Sequence, residues 1–271
     1  GFINMKKFIL LLSLLLIGNC SIAAEPIEIL HDDGIYHIIL HGEKIKKKIK
    51  FVSSEGLITN REAHQKTKAK LTVNAGYFDP ENEKSISYIV TDSITSEDPR
   101  FNENLLKNPI LRKNLDKIFN RTEFRVLECY EDNKYRYEIV PHNTAVDFSC
   151  SIKTSAQGGP LILPELRLEE EFFVVKQDGE IVRESCSVLH KTARTVIGLK
   201  DGEAHILIIT DEHPMDLFEV QEYCKKLGLE RAMAFDGGSS TSLNYKDEIE
   251  VISTKGDGAG RSLKSFMQVE Y

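Results

Sequence analysis

The run from Arg194 to Phe235 constrains the fold more than any other stretch of the chain. Arg194 to Leu199 and His205 to Thr210 are β-prone segments separated by Asp201-Gly202, a pairing that predicts a tight hairpin. Pro214 then opens a segment in which Leu217, Val220, Cys224 and Leu227 fall on one helical face, stopped by Gly228. Arg231 to Phe235 follows as a short buried strand. Strand, helix, strand in this order predicts a βαβ unit whose crossover sets its two strands parallel. The expected fold class is therefore α+β, a mixed sheet with packed helices and a C-terminal βαβ unit.

Other segments extend that picture. Leu71-Thr72-Val73 reads as a short strand that turns at Asn74-Ala75-Gly76. Asn108-Pro109 looks like an N-cap and a first-turn proline, and Leu111, Leu115, Ile118 and Phe119 recur at helical spacing, which predicts a helix covering a sheet. Phe124 to Leu127 and Tyr135 to Val140 read as a hairpin around Glu131-Asp132-Asn133, with further strands at Leu161 to Leu163 and Phe172 to Val175. The basic run Lys44 to Lys50 alternates with Ile45 and Ile49 and reads as a solvated strand or guarded edge.

At 271 residues with 41% hydrophobic content, the chain has enough apolar material for one full core. Met5-Lys6-Lys7 followed by the apolar run Phe8 to Ile17 reads as a secretory signal, with small residues near Ala23 and Ala24 for cleavage. A lipoprotein anchored through Cys20 is the second choice, because Asn19 before it fits poorly. The division expected is 1–24 as leader, 25–70 as N-terminal strands, and 71–271 as the main domain. Beyond the leader nothing is long and apolar enough to span a membrane stably, so an exported protein, periplasmic or secreted, is expected. A net charge of −7 argues against nucleic acid as a partner. Four cysteines outside the leader, Cys129, Cys150, Cys186 and Cys224, suggest two disulfides in an oxidising compartment, and Cys224 on its helical stripe also reads as a buried thiol. Their spacing matches no zinc pattern.

Chemistry concentrates in Ala234-Phe235-Asp236-Gly237-Gly238-Ser239-Ser240-Thr241, where an apolar run ends in a carboxylate, two glycines and three hydroxyls. Gly237 and Gly238 let the backbone turn tightly and present N–H groups to an anion or a sugar oxygen. The segment is not a nucleotide phosphate loop, since Thr241 to Tyr245 is β-prone and no lysine precedes the hydroxyl. Asp211 and Asp236 each follow a strand of the βαβ unit, which predicts both carboxylates at one sheet edge. Paired acids there suit glycoside cleavage. Asp211 reads equally well as a helix cap, with Glu212 as a substitute acid. His190 and His213 lie near enough in sequence to shuttle protons.

Asn74-Ala75-Gly76-Tyr77-Phe78, Gln157-Gly158-Gly159-Pro160, Arg194-Thr195-Val196-Ile197-Gly198 and the Asp236-Gly237-Gly238 segment, in this order, resemble the motifs of the phosphodiester glycosidase family. Arg261, ahead of Ser265 to Val269, resembles the arginine that precedes the family's last strand. The resemblance covers roughly Leu71 to Val269. It departs at Gly158, where relatives usually have alanine, and at Ser239, where they usually have a third glycine. It implies a single catalytic domain that cleaves a sugar-phosphate linkage at the anomeric carbon. Carried onto this chain, it makes Asp236 the general acid or nucleophile with Asp211 as its partner, and Arg194 the phosphodiester clamp. Asn74, Gly158, Gly159, Gly237, Gly238, Ser239, Ser240 and Thr241 would position sugar and phosphate. A divalent cation held by Asp236 and its neighbours would supply charge stabilisation, though no signature demands one. The alternative is a non-catalytic envelope protein binding phosphorylated glycan, and a third reading is an unrelated secreted glycan hydrolase.

Overall fold

The computed structural model describes residues 25–254 and 258–271, so the leader and Cys20 lie outside the described residues. Strand residues dominate at 43%, against 16% in helices, and every pairing between strands is antiparallel. The α+β expectation is thereby corrected to a mostly-β fold. Strands Glu203–Ile209 and Arg231–Ala234 do flank helix Leu217–Lys226, but they are not neighbours. Strand Arg194–Lys200 lies between them, antiparallel to each.

Three larger sheets and one hairpin sheet hold the strands of the described residues. The first runs Ile27–Asp32, Ile35–Leu40, Glu203–Ile209, Arg194–Lys200, Arg231–Ala234 and Leu161–Leu163 in spatial order. In the second the order is Ile249–Ile252, Ser242–Tyr245, Leu71–Asn74, Leu263–Val269 and Ile49–Ile58. The third holds Ile94–Glu97, Ile89–Thr91, Cys150–Gln157, Thr122–Cys129 and Lys134–Pro141. A separate hairpin joins Val174–Gln177 to Glu180–Glu184. Local chemistry sets the turns: Asp33-Gly34, Asp178-Gly179 and Asp201-Gly202 all carry positive φ at both residues, the geometry that matches the twist of a two-residue hairpin. Residues 25–70 contribute strands to two sheets, since Ile35–Leu40 pairs with Glu203–Ile209 and Ile49–Ile58 with Leu263–Val269.

The helical reading fails where asparagines intervene. Asn108 caps a helix and Pro109 opens it as expected, but Asn114 precedes a second start, so the single expected helix becomes Pro109–Arg112 and Leu115–Phe119, with a further short helix, Glu103–Lys107, ahead of them. Ile110 is left largely exposed rather than packed on a sheet. The basic run is likewise not a strand at its start: Glu43–Lys46 is a helical turn, with Lys46 buried against Glu43 and Tyr137. Among the cysteines, Cys129 and Cys150 sit opposite one another on paired strands and form a disulfide, whereas Cys186 is exposed and Cys224 buried, both as free thiols. The expectation of a second disulfide is thus corrected.

The main core lies where the three sheets meet. Phe51 of the second sheet packs edge-on to Phe124 of the third, with ring centres 6.0 Å apart, and to Phe235 at the end of a first-sheet strand, at 5.8 Å. All three are essentially inaccessible. A second core seats helix Leu217–Lys226 on the first sheet through Leu217, Val220 and Cys224. Because Phe51 touches aromatic partners from both other sheets, Phe51→Ala should destabilise the protein by about 3–5 kcal/mol. Equilibrium denaturant unfolding measures this, and a cost near that of an exposed substitution would show that the sheets do not depend on the contact.

Candidate active site

Asp236 follows strand Arg231–Ala234 and is held through its main chain. Its N–H donates to Ala75 O at 3.0 Å, and its own carbonyl accepts from Asn74 Nδ2 at 2.6 Å. Asn74 is 1% exposed and uses its other amide atom as well: Oδ1 accepts from Thr195 Oγ1 at 2.7 Å and from Ser242 N at 3.1 Å. This side chain thus ties the second sheet to the first and to the Asp236 turn. It lies behind the pocket rather than in it.

The turn itself needs bare backbone. A Cβ on Gly237 would stand 2.9 Å from Ala193 O, and Gly238 adopts a φ of +57° while its N–H donates to Ala193 O. Ser239 does not need the conformation that a third glycine would allow, because the positive φ falls at Gly238 and Gly238–Ser240 forms a short 3-10 turn. Ser240 and Thr241 are buried beneath it.

The result is a pocket of about 460 Å³ lined by Asp236, Gly237, Gly238 and Ser239 on one part of its wall and by Tyr77, Phe78 and Ile86 on another. Arg121, Cys186, Ser187, Thr192 and Arg261 complete it. Asp236 is half-buried, and burial pushes its carboxyl up to about 6, opposed by the Ser240 hydroxyl, the Arg261 charge and the Gly237 N–H. Arg261 Nη1 donates to Ser239 Oγ at 3.1 Å and Ser240 Oγ at 3.3 Å, and its guanidinium lies 4.9 Å from the Phe78 ring centre. Both its hydroxyl partners are neutral, and it makes no ion pair among the described residues. A charged fork beside a carboxyl with a raised pKa can hold an anion and leave the carboxyl to act on the atom next to it.

Several residues singled out from sequence lie elsewhere. Arg194 is buried, and its Nε donates to Met215 O at 2.9 Å while Nη2 donates to Ser187 O at 2.7 Å and His190 O at 2.6 Å. These bonds hold the loop after Glu184, where Cys186 and Ser187 both adopt positive φ at the pocket wall. Asp211 Oδ2 accepts from Ser253 Oγ and Thr254 N, both at 2.7 Å, outside the pocket lining. It does not cap the helix either; Asp216 does, in a capping box with Glu219. Glu212 is also outside the lining, His213 pairs with Asp33, and His190 pairs with Glu184. Gly158 packs behind Phe235, where a Cβ would stand only 2.6 Å from Ala234 O, and Gly159 packs against Glu171 and Phe173. No group of three or more His, Cys, Asp or Glu side chains gathers as a metal site among the described residues. Arg121, Phe78, Ile86 and Thr192 were not read as site residues from sequence. Only Phe78, inside the Asn74-to-Phe78 motif, carried a usable signal.

Comparison with known proteins places this geometry. No curated protein sequence matches the chain. Among solved structures, the catalytic domain of zebrafish N-acetylglucosamine-1-phosphodiester alpha-N-acetylglucosaminidase, auto-inhibited by its pro-peptide, is similar with a TM-score of 0.61 at 14% identity, over 90% of this chain and 81% of that one. A hypothetical protein from Synechocystis is similar with a TM-score of 0.56 at 10% identity, over 90% of this chain and 61% of that one. A protein from Burkholderia pseudomallei K96243 gives 0.60 at 10% identity, over 87% and 73%. At these identities the likeness is one of fold. The family model for phosphodiester glycosidases matches residues 67–269. By that match the chain belongs to the phosphodiester glycosidase family.

Proposed function

We propose that this protein is an exported hydrolase that cleaves the glycosidic bond of a sugar-1-phosphodiester, with a glycan or cell-envelope polymer as substrate. The observation that carries the reading is the shared pocket of Asp236 and Arg261, a carboxyl raised by burial beside a guanidinium with no carboxylate partner among the described residues. The zebrafish relative is named for action on an N-acetylglucosamine-1-phosphodiester, which supports this substrate class. The disulfide between Cys129 and Cys150 supports export, since such bonds persist in oxidising compartments.

In this mechanism Arg261 and the N–H groups of the Gly237-Gly238 turn hold the phosphate, and the sugar lies against Tyr77, Phe78 and Ile86. A phosphate monoester departs without needing a proton, so stabilising its charge matters more than acid help. Asp236 is then free to act in its ionised form at the anomeric carbon, as nucleophile or as base for water. Asp211 would contribute from outside the lining, through the Ser253–Thr254 segment that it holds.

Asp236→Asn should lower kcat by at least about a hundredfold while the variant still binds substrate. In the wild type, kcat/KM should rise as pH passes through about 6, where Asp236 ionises. A falling limb there would instead assign Asp236 as the proton donor. The same shift has a stability consequence. The folded state binds the Asp236 proton more tightly than the unfolded chain, so this group's contribution falls as pH rises from about 3.8 to about 6. Asp236→Asn should therefore have a higher Tm than wild type at pH 7.5, with the gap closing near pH 4. Arg261→Gln should raise KM for the phosphodiester by about tenfold or more, as expected for a lost charged hydrogen bond. Arg194→Lys should instead lower stability by about 1–3 kcal/mol through its lost carbonyl bonds. Steady-state kinetics and thermal unfolding on the two variants separate these roles. A wild type that releases no sugar from a panel of glycosyl phosphodiesters would leave the pocket a binding site for phosphorylated glycan.

A further inference from the structure

The pocket holds a second arginine that the proposed reaction leaves unused. Arg121 directly precedes strand Thr122–Cys129, is 6% exposed and lines the same pocket. Its Nε donates to Glu171 O at 2.8 Å and its Nη2 to Phe172 O at 3.2 Å. Those bonds orient the guanidinium without supplying a counter-charge. The carboxylate within electrostatic reach, Glu171, is buried and already engaged: one oxygen accepts from Thr122 N and the other from Leu161 N at 2.5 Å.

A second guanidinium adds to the same charge. Arg183, in strand Glu180–Glu184, lies 4.6 Å from the ring centre of Phe172, while Arg121 lies 3.8 Å from that of neighbouring Phe173. Arg183 Nη1 is buried with no hydrogen-bond partner. Neither arginine makes an ion pair among the described residues, although the chain has 42 acidic residues. The charge on Arg183 is close enough to oppose that on Arg121. Arg121 is buried and Arg183 half-buried; like charges brought together there are costly, and an anion arriving beside them relieves the cost. The flank is also distinct from the reacting centre. Arg261 is tied to the Ser239 and Ser240 hydroxyls of the Asp236 turn, whereas Arg121 is tied to the Glu171 and Phe172 carbonyls, so different segments of the pocket wall hold the two guanidiniums.

We infer that the Arg121–Arg183 flank is a second anion subsite, which recognises a carboxylate or phosphate group on the substrate other than the phosphodiester held at Arg261. The preferred substrate is then a glycosyl phosphodiester with an additional acidic substituent. The identity of that substrate rests on the hydrolase reading; the charge of the flank does not.

The test uses the full chain and three glycosyl phosphodiesters: one with a neutral sugar, one with a uronic acid, and one with a phosphate on the sugar. Affinity is measured by titration calorimetry and turnover in parallel. Wild type should bind one of the acidic sugars at least about tenfold more tightly than the neutral one, the scale of a charged hydrogen bond. Which acidic sugar it prefers distinguishes carboxylate from phosphate recognition. Arg121→Gln and Arg183→Gln should each collapse that ratio toward unity. Arg183 lies on the small hairpin sheet, so its variant keeps the test decisive even if Arg121→Gln fails to fold. Equal affinity for all three compounds, or a preference that survives Arg183→Gln, would overturn the inference and leave both arginines as supports of the Glu171-to-Phe173 segment. A preference lost in the variants but without turnover would retain the subsite and reject the hydrolase. Turnover without any preference would do the reverse.

Discussion

One buried amide holds the working end of this molecule together. Asn74 ends a strand of the second sheet, and its side chain donates to the Asp236 carbonyl while accepting from Thr195 of the first sheet and from Ser242. An amide suits this place because it donates and accepts at once; a carboxylate could not donate and a hydroxyl could not reach all three. With the main chain of Asp236 also bonded to Ala75, the Asp236 turn is fixed relative to two sheets. Phe51, Phe124 and Phe235 anchor the same junction from the apolar side.

Around that junction, charge is distributed according to what each group is bonded to. Two arginines line the pocket and a third, Arg194, backs its wall, and each has a different fate. Arg194 is fully engaged by main-chain carbonyls and shapes the wall through Ser187 and His190. Among the described residues Arg261 bonds neutral hydroxyls and faces an aromatic ring, with no carboxylate partner, beside Asp236. Arg121 is oriented by carbonyls and stacked on Phe173, and makes no ion pair among the described residues. Burial then makes the Asp236 carboxyl harder to ionise than a solvated one.

Much of the local structure was legible in the chain. The Asp-Gly pairs specify hairpins because the needed backbone geometry belongs to those two residues alone. The helix from Leu217 to Lys226 follows from its apolar stripe, and the Gly237-Gly238 turn from the absence of side chains where Ala193 approaches. Fold class was misread because the helix between Glu203–Ile209 and Arg231–Ala234 suggests a parallel crossover, whereas Arg194–Lys200 lies between those strands and pairs antiparallel with both, a choice made only when the sheet assembles. The expectation for Asp211 came from its place at a strand end. In the structure its partners are Ser253 and Thr254, more than forty positions away, which no local pattern encodes.

What the sequence by itself determined are the features set by neighbours along the chain: the turns, most strands, the family motifs and the carboxyl at the end of a buried run. Tertiary structure alone decided which arginines face the pocket, which cysteines pair and which polar side chain joins the sheets. Those outcomes depend on the partners each group meets after the sheets pack. A guanidinium is a ligand site or a structural pin according to whether carbonyls distant in sequence have already taken its N–H groups.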